Sequence, residues 1–277
     1  MISILLSTYN GEKYLSEQLD SILQQSYQNF IIYIRDDGSN DNTLNIIMYY
    51  VHNFPSKIKL VDDKVKHRGA KLSFIWLMSH IESDYYMFCD QDDVWLPNKI
   101  ELSIDKLSKL ENIYPKSPIL VHTEMYVTNS NLEIISSSLY RMMKINPKYV
   151  NHFNYMGVCC CAPGCSMIFN KRSRDVSINY DNDLSIIPMH DWWVAINTAR
   201  DGYVSYIIEP TMLYRQHGKN VLGATCVDLN YFVNKIKNIK QVFISYKREL
   251  KWLNLVNYGK WYKYIFYKIM YTIIRQF

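Results

Sequence analysis

Three carboxylates fall within four positions at Asp90-Gln91-Asp92-Asp93, directly after the apolar run Tyr85-Tyr86-Met87-Phe88-Cys89. Their mutual repulsion at the end of a buried strand is costly unless a cation neutralises it. Hard oxygen ligands suit Mn2+ or Mg2+, ions that bridge carboxylates to substrate phosphates. The bland alternative is a solvated turn capping the next helix, which needs only one acid.

Three further groups could do chemistry. Asp36-Asp37-Gly38-Ser39 also follows an apolar run, and a carboxylate there can accept a hydrogen bond from a nucleobase or a ribose; an Asp-Gly turn reads equally well. His190-Asp191-Trp192-Trp193 sets a carboxylate against two large aromatics. A partly desolvated Asp191 suits a general base, although an N-capping aspartate before core tryptophans is the simpler reading of those residues. In Arg215-Gln216-His217, arginine suits a departing diphosphate and histidine a metal. No Gly-x-x-x-x-Gly-Lys loop and no Gly-x-Gly-x-x-Gly fingerprint is present, which argues against P-loop NTPases and dinucleotide oxidoreductases.

The elements that must position these residues alternate between two periods. Apolar runs at Ile2–Ser7, Phe30–Ile34, Ile58–Val61 and Tyr85–Cys89 read as buried strands. Between them lie helical faces through Tyr14 to Leu23, around Ile46 and Ile47, and from Gly69 to Ile81; another helix opens at Pro97 and runs to about Asn112. This order predicts an α/β fold with a mostly parallel central sheet flanked by helices. Ligands then bind outside the carboxyl ends of the strands, so the loops after the first, second and fourth strands share one edge.

Beyond Pro118 the pattern predicts strands at Ile119–His122, Met125–Val127 and Leu132–Ile135. An apolar, Gly-containing segment at Gly157–Phe169 reads as a strand beside the crevice, followed by a helix from His190 to about Arg200 and a last core strand at Tyr203–Ile208. Residues 1–226 read as one catalytic domain, with a nucleotide-binding half (1–117) and an acceptor half (118–226), and 227–277 as a helical tail.

Charge supports that division. From Asn234 onward there are ten basic residues and one acid, Glu249, so the body is mildly acidic although the whole chain carries +5. A basic tail on an acidic body does not suit nucleic acid, where basic charge lines the working surface. Tyrosine, tryptophan and lysine mixed along Tyr258–Phe277 suit a helix lying in an anionic membrane surface. Packing of those aromatics on the catalytic domain is the equal alternative. No run reaches the length of a membrane span, and Ile2–Leu6 is too short for a signal peptide. The six cysteines include adjacent Cys159, Cys160 and Cys161, and read as free thiols of a cytoplasmic protein, peripheral at the inner membrane face if the tail docks there.

In order, Ser7-Thr-Tyr-Asn-Gly11, Gln24-Gln-Ser-Tyr-Gln-Asn-Phe30, Arg35-Asp-Asp-Gly-Ser39, Asp90-Gln-Asp-Asp-Val-Trp95, His190-Asp191-Trp192 and Tyr214-Arg-Gln-His-Gly218 resemble family 2 glycosyltransferases with the GT-A fold. The Asp-Gln-Asp-Asp-Val-Trp form is similar to the rhamnosyltransferase-like branch. The resemblance implies inverting transfer of a sugar, with L-rhamnose one candidate, from a dTDP- or UDP-sugar to a glycan or lipid-linked glycan of the bacterial surface. It places Thr8, Tyr9 and Asn10 beside the nucleotide, Asp36 on the base with Asp37 in support, and Asp90 and Gln91 near the ribose. Either Asp90 and Asp92, or Asp92 and Asp93, serve ribose and metal, with Asp92 the first choice for the ion, Asp93 the second, and His217 beside them; Arg215 meets the diphosphate, and Asp191 is the catalytic base. The family often has asparagine where Ser73 stands. Two rivals use the same residues differently. A nucleotidyltransferase would want a basic Gly-rich loop after the first strand, and a non-catalytic assembly component would not bind nucleotide sugars.

Overall fold

The computed structural model describes residues 1–178, 183–218 and 239–274. Nine strands form one sheet: β1 (Ile2–Thr8), β2 (Phe30–Asp36), β3 (Ile58–Leu60), β4 (Tyr85–Cys89), β5 (Val94–Trp95), β6 (Ile119–Thr128), β7 (Ile134–Ser136), β8 (Met167–Asn170) and β9 (Tyr203–Arg215). Their order is β3-β2-β1-β4-β8-β6-β9-β5, with β7 paired to β6. β1 to β4, β6 and β9 all run one way, while β8, β5 and β7 run against them. The sheet is therefore mostly parallel, and purely so in its first half.

Helices α1 (Leu15–Leu23), α2 (Thr43–Asn53), α3 (Gly69–His80) and α4 (Lys99–Ile113) connect that first half. The alternation of β1 explains why both faces are covered. Leu5 joins a core with Phe74 and Phe88, whereas Ile4 and Leu6 join a second core with Leu19 and Ile22. One-turn helices α5 (Leu139–Met142), α6 (Pro147–Val150) and α7 (Phe153–Met156) follow β7, then α8 (Lys171–Ser177) and α9 (His190–Asp201).

Several boundaries in the second half differ from the pattern. Ile119–His122 and Met125–Val127 belong to a single strand, β6. The polar interruption Thr123-Glu124 lies inside it because Glu124 is buried and satisfied: its carboxylate accepts the Met125 and Leu139 N–H groups, each at 2.9 Å. The next strand starts at Ile134, since Leu132 takes a left-handed conformation (φ 64°) in a turn held by Asn129. Of Gly157–Phe169, only the end from Met167 onward is strand. The last strand, β9, extends seven residues beyond Ile208, to Arg215, with register shifts against β6 around Glu124.

Two further helices, Ile239–Leu253 and Trp261–Ile274, form an antiparallel hairpin in the tail, with Tyr246 against Tyr264 and Lys268 near Glu249 (3.7 Å). The hairpin packs on the body. Trp252, Leu253, Tyr264 and Tyr271 are buried in the same core as Trp193 and Phe88. The expected boundary between residues 226 and 227 falls in 219–238, which lie outside the described residues.

Candidate active site

The parallel half brings the loops after β1, β2 and β4 together, as strand order requires. The Gln91 side-chain amide grips the Tyr9 backbone from both sides, accepting its N–H at 2.9 Å and donating to its carbonyl at 3.1 Å. Asn10 adopts φ 49°, donates its N–H to Ser39 Oγ and accepts the Asn40 N–H on its side chain. Tyr9 is 46% exposed, its ring edge-on to His67.

Asp36 and Asp37 are fully employed within this loop. Asp36 Oδ1 accepts from the Thr8 and Ser39 hydroxyls, and Oδ2 from the Gly38 and Ser39 N–H groups. Asp37 is buried, and its Oδ1 accepts from Arg35 at 2.8 Å and the Arg68 N–H at 2.9 Å, while Oδ2 accepts the Gly69 N–H. Burial raises its pKa, but those hydrogen bonds and the Arg35 charge outweigh it, and the net shift is downward. Arg35, itself 1% exposed, also reaches Asp63 at 3.1 Å and donates to Ser73 Oγ at 2.8 Å. Ser73 therefore serves this brace.

The second cluster is less completely paired among the described residues. Asp93 is fully buried. Its Oδ1 accepts the Arg215 backbone N–H at 3.0 Å, and among the described residues Oδ2 has no hydrogen-bond partner. Burial first, then the charges of Asp92 and Asp90, push its pKa well up. Burial, Asp92 and Asp191 likewise raise Asp90 to about 7. The cluster does not cap a helix: α4 begins at Lys99, and its N-cap residue is Asn98.

Two sets of ligand atoms result. Asp90, Asp93 and the Cys165 thiol offer atoms all within 4.8 Å of one another. Asp92 Oδ2 instead lies 2.7 Å from His217 Nε2, whose ring stacks on Tyr14. The orphaned Asp93 oxygen and the surplus of carboxylates fit a divalent cation. Arg215 faces inward at 3% exposure, donating to the Asp92 and Ser130 carbonyls and to Glu17, with Tyr14 under its guanidinium.

Asp191 sits in the first turn of α9, where its Oδ2 accepts the Gly164 N–H at 3.0 Å and its Oδ1 the Trp192 N–H at 2.7 Å. The next residue after Gly164 is Cys165, so adjacent residues touch Asp191 on one side and the Asp90/Asp93 group on the other. His190 is buried between Phe74 (4.2 Å, stacked) and Phe88, and burial lowers its pKa to about 4. The two rings thus hold a buried imidazole directly beside Asp191 in sequence.

Sequence reasoning missed two pieces. Cys165 carried no signal beyond a thiol among thiols. The two-residue strand β5 is too short to show a period, yet it pairs Val94 with Leu213 and Trp95 with Met212, which carries residues 214–217 back to the acidic cluster.

A parallel first half of the sheet, an acidic cluster at the end of β4 and a carboxylate at the start of a late helix are the pattern of a GT-A glycosyltransferase. The model for glycosyl transferase family 2 matches residues 3–176, and the chain belongs to that family. The dTDP-rhamnosyl transferase RfbG of Shigella flexneri is 32% identical over 266 residues, covering 93% of this chain and 81% of the relative. The putative glycosyltransferase EpsE of Bacillus subtilis is 36% identical, but over 39% of this chain and 38% of its own length. Among solved structures, Staphylococcus aureus TarS 1–349 in complex with UDP-GlcNAc superposes with a TM-score of 0.58 at 16% identity, covering 84% of this chain and 63% of that one. Mannosyltransferase PcManGT of Pyrobaculum calidifontis, in complex with GDP-Man and Mn2+, gives 0.55 at 16% identity over 80% and 58%. The chain thus spans less than two thirds of either solved structure, and these two likenesses bear on fold. Family and relative together make it an enzyme that transfers a sugar from a nucleotide sugar.

Proposed function

We propose that the reaction is an inverting, Mn2+- or Mg2+-dependent transfer, with dTDP-rhamnose the first donor to test and a hydroxyl of a surface or lipid-linked glycan as acceptor. One observation carries this reading: Gly164 and Cys165 join the Asp191 carboxylate to the Asp90/Asp93 group across a single peptide unit. RfbG, named for dTDP-rhamnose and similar over nearly the whole chain, supports the choice of donor.

In this reading Thr8, Tyr9 and Asn10 line the nucleotide, with the exposed Tyr9 ring against the base. Asp36 exchanges one of its hydroxyl donors for a group of the base, Asp37 holds the loop, and Asp90 and Gln91 border the ribose. Asp93 is the first metal ligand, joined by Asp90 and Cys165 or by Asp92 and His217. The cation, when bound, offsets charge on the leaving diphosphate. Arg215 adds positive charge at the same end. Asp191 accepts the proton of the acceptor hydroxyl as that oxygen forms its bond to the anomeric carbon and the diphosphate leaves from the opposite face. Asp191→Asn is expected to lower turnover by about 10²–10⁴-fold while leaving donor binding intact. Normal turnover in that variant would refute the assignment of the base.

The outer face of the tail hairpin supports docking on an anionic membrane. Tyr262, Phe266, Ile269 and Ile273 make an exposed stripe along one helix, at 48–58% exposure, while Lys247, Arg248, Lys251 and Lys260 are exposed nearby in sequence. Self-association through this face would set two strongly basic tails together, which favours lipid over a second copy. Among the described residues no helix is long and apolar enough to cross a membrane. Phosphatidylglycerol vesicles should carry the full chain in flotation and release the Phe266→Ser/Ile269→Ser variant; no flotation of the unaltered chain would end the proposal.

A further inference from the structure

The inner face of the same hairpin makes contacts that stability alone does not require to be where they are. Trp252 is 1% exposed, and its indole packs edge-on against Trp192 with ring centroids 5.3 Å apart. Trp192 is the residue whose backbone N–H holds Asp191 Oδ1, and its own indole N–H donates to the Met156 carbonyl at 2.6 Å. One side of the Asp191 cradle is thus backed by the tail.

The other side is backed as well. Gly164, whose N–H holds Asp191 Oδ2, ends the irregular segment that begins at Gly157. Lys268 donates to the Val158 carbonyl at 2.8 Å, and the Cys159 thiol donates to the Tyr271 hydroxyl at 2.9 Å. Tyr258 donates to the Asn154 carbonyl and lies so close over Gly157 that any Cβ there would collide with its ring. Gly164 is itself confined, since a Cβ would sit 2.9 Å from His190 Nε2. The chain from 157 to 164 has little regular structure of its own, so its position depends on what grips it.

We infer that the C-terminal hairpin is a positioning element of the transfer site, with Trp252 and Lys268 as the residues that fix the two backbone amides holding the Asp191 carboxylate. The inference rests on Asp191 being the base. It makes Trp252 and Lys268 positioning residues, since neither is placed against substrate. A carboxylate held by two amides tolerates little displacement, because a misplacement of about 1 Å can cost about 100-fold in rate.

The test uses the full chain with Mn2+ and whichever of dTDP-rhamnose, UDP-GlcNAc and GDP-mannose gives the fastest release of nucleoside diphosphate. Trp252→Leu should lower kcat by about 10–100-fold. Affinity for the nucleoside diphosphate with Mn2+, measured by calorimetry, should stay within about twofold, because the donor loops lie on the other half of the sheet. Trp252→Phe should recover most of the rate, and Lys268→Met should show the same split with a smaller loss. If Trp252→Leu fails to fold, Lys268→Met and Tyr258→Phe carry the test. A kcat within twofold of the unaltered chain in these variants overturns the inference, as does a loss of rate matched by an equal loss of nucleotide affinity. Asp191→Asn separates the two claims. Retained turnover there removes the base and the inference together, whereas lost turnover there with normal kcat in the tail variants removes the inference alone.

Discussion

Asp36–Asp37 and Asp90–Asp93 are both acidic clusters at the ends of parallel strands, and they are completed in opposite ways. Every carboxylate oxygen of the first pair has a donor, and the buried Arg35 supplies the counter-charge from the same chain segment. Among the described residues the second cluster has an orphaned buried oxygen on Asp93, and burial with the Asp92 and Asp90 charges raises its proton affinity more than its hydrogen bonds lower it. The first cluster is a brace that shapes a loop. The second holds surplus negative charge, which a fold retains at a cost unless something outside the chain balances it.

That contrast can be broken in three ways. The largest effect is expected from Arg35→Met, which removes the counter-charge of the buried Asp37 and leaves Asp63 with Arg68 alone, and should cost about 3–5 kcal/mol in urea unfolding. A loss under about 1 kcal/mol would mean the donor loop does not depend on its ion pairs. Next, Asp93→Asn should weaken Mn2+-dependent binding of dTDP by about 100-fold in calorimetry. An unchanged isotherm would show that the cluster is not the cation site.

The pH dependence of stability should also separate the two clusters. Asp37 titrates below the ordinary value of 3.8 in the folded state, so its contribution is present above pH 3.8 and disappears as pH falls through its folded value. Asp90, pushed up to about 7, acts the other way: the metal-free fold loses stability as pH rises from about 4 to 7. Thermal melts in EDTA should therefore decline between those values, and Mn2+ should flatten the decline. A melt that rises steadily from pH 4 to 7 in EDTA would contradict the reading of the second cluster.

The donor side was largely legible in the sequence because its parts are local. Four apolar runs with intervening helical faces fix strand order, and strand order alone brings Tyr9, Asp36 and Gln91 to one edge. The employment of Asp37 was not legible, since its partners depend on the left-handed Gly69 at the start of α3 (φ 75°) and on Arg35 turning inward. The acceptor side was legible as motifs but not as an assembly. Asp92 meets His217 across 125 residues and Arg215 meets Glu17 across 198, contacts that no window of periodicity contains. A buried Glu124 inside β6 broke an apolar pattern that the structure keeps continuous. The aromatic residues of the tail suited lipid and packing on the body equally, and the structure divides them: Tyr258, Tyr264 and Tyr271 are core while Trp261, Tyr262 and Phe266 are exposed, because a helix with apolar residues on several faces can bury one and expose another.

The sharing of one core by α9 and the tail hairpin sets an order on synthesis. The parallel half of the sheet can close once about the first 120 residues have emerged, since its strands and helices are consecutive in sequence. The wall that holds Asp191 must wait for Trp252, Tyr264 and Tyr271, which are synthesised well after it. During that interval a nascent chain could hold a nucleotide loop while Trp192, Trp193 and the segment after Gly157 lack their cover. Translational pausing between Asp191 and Trp252 would lengthen the exposure of that apolar surface.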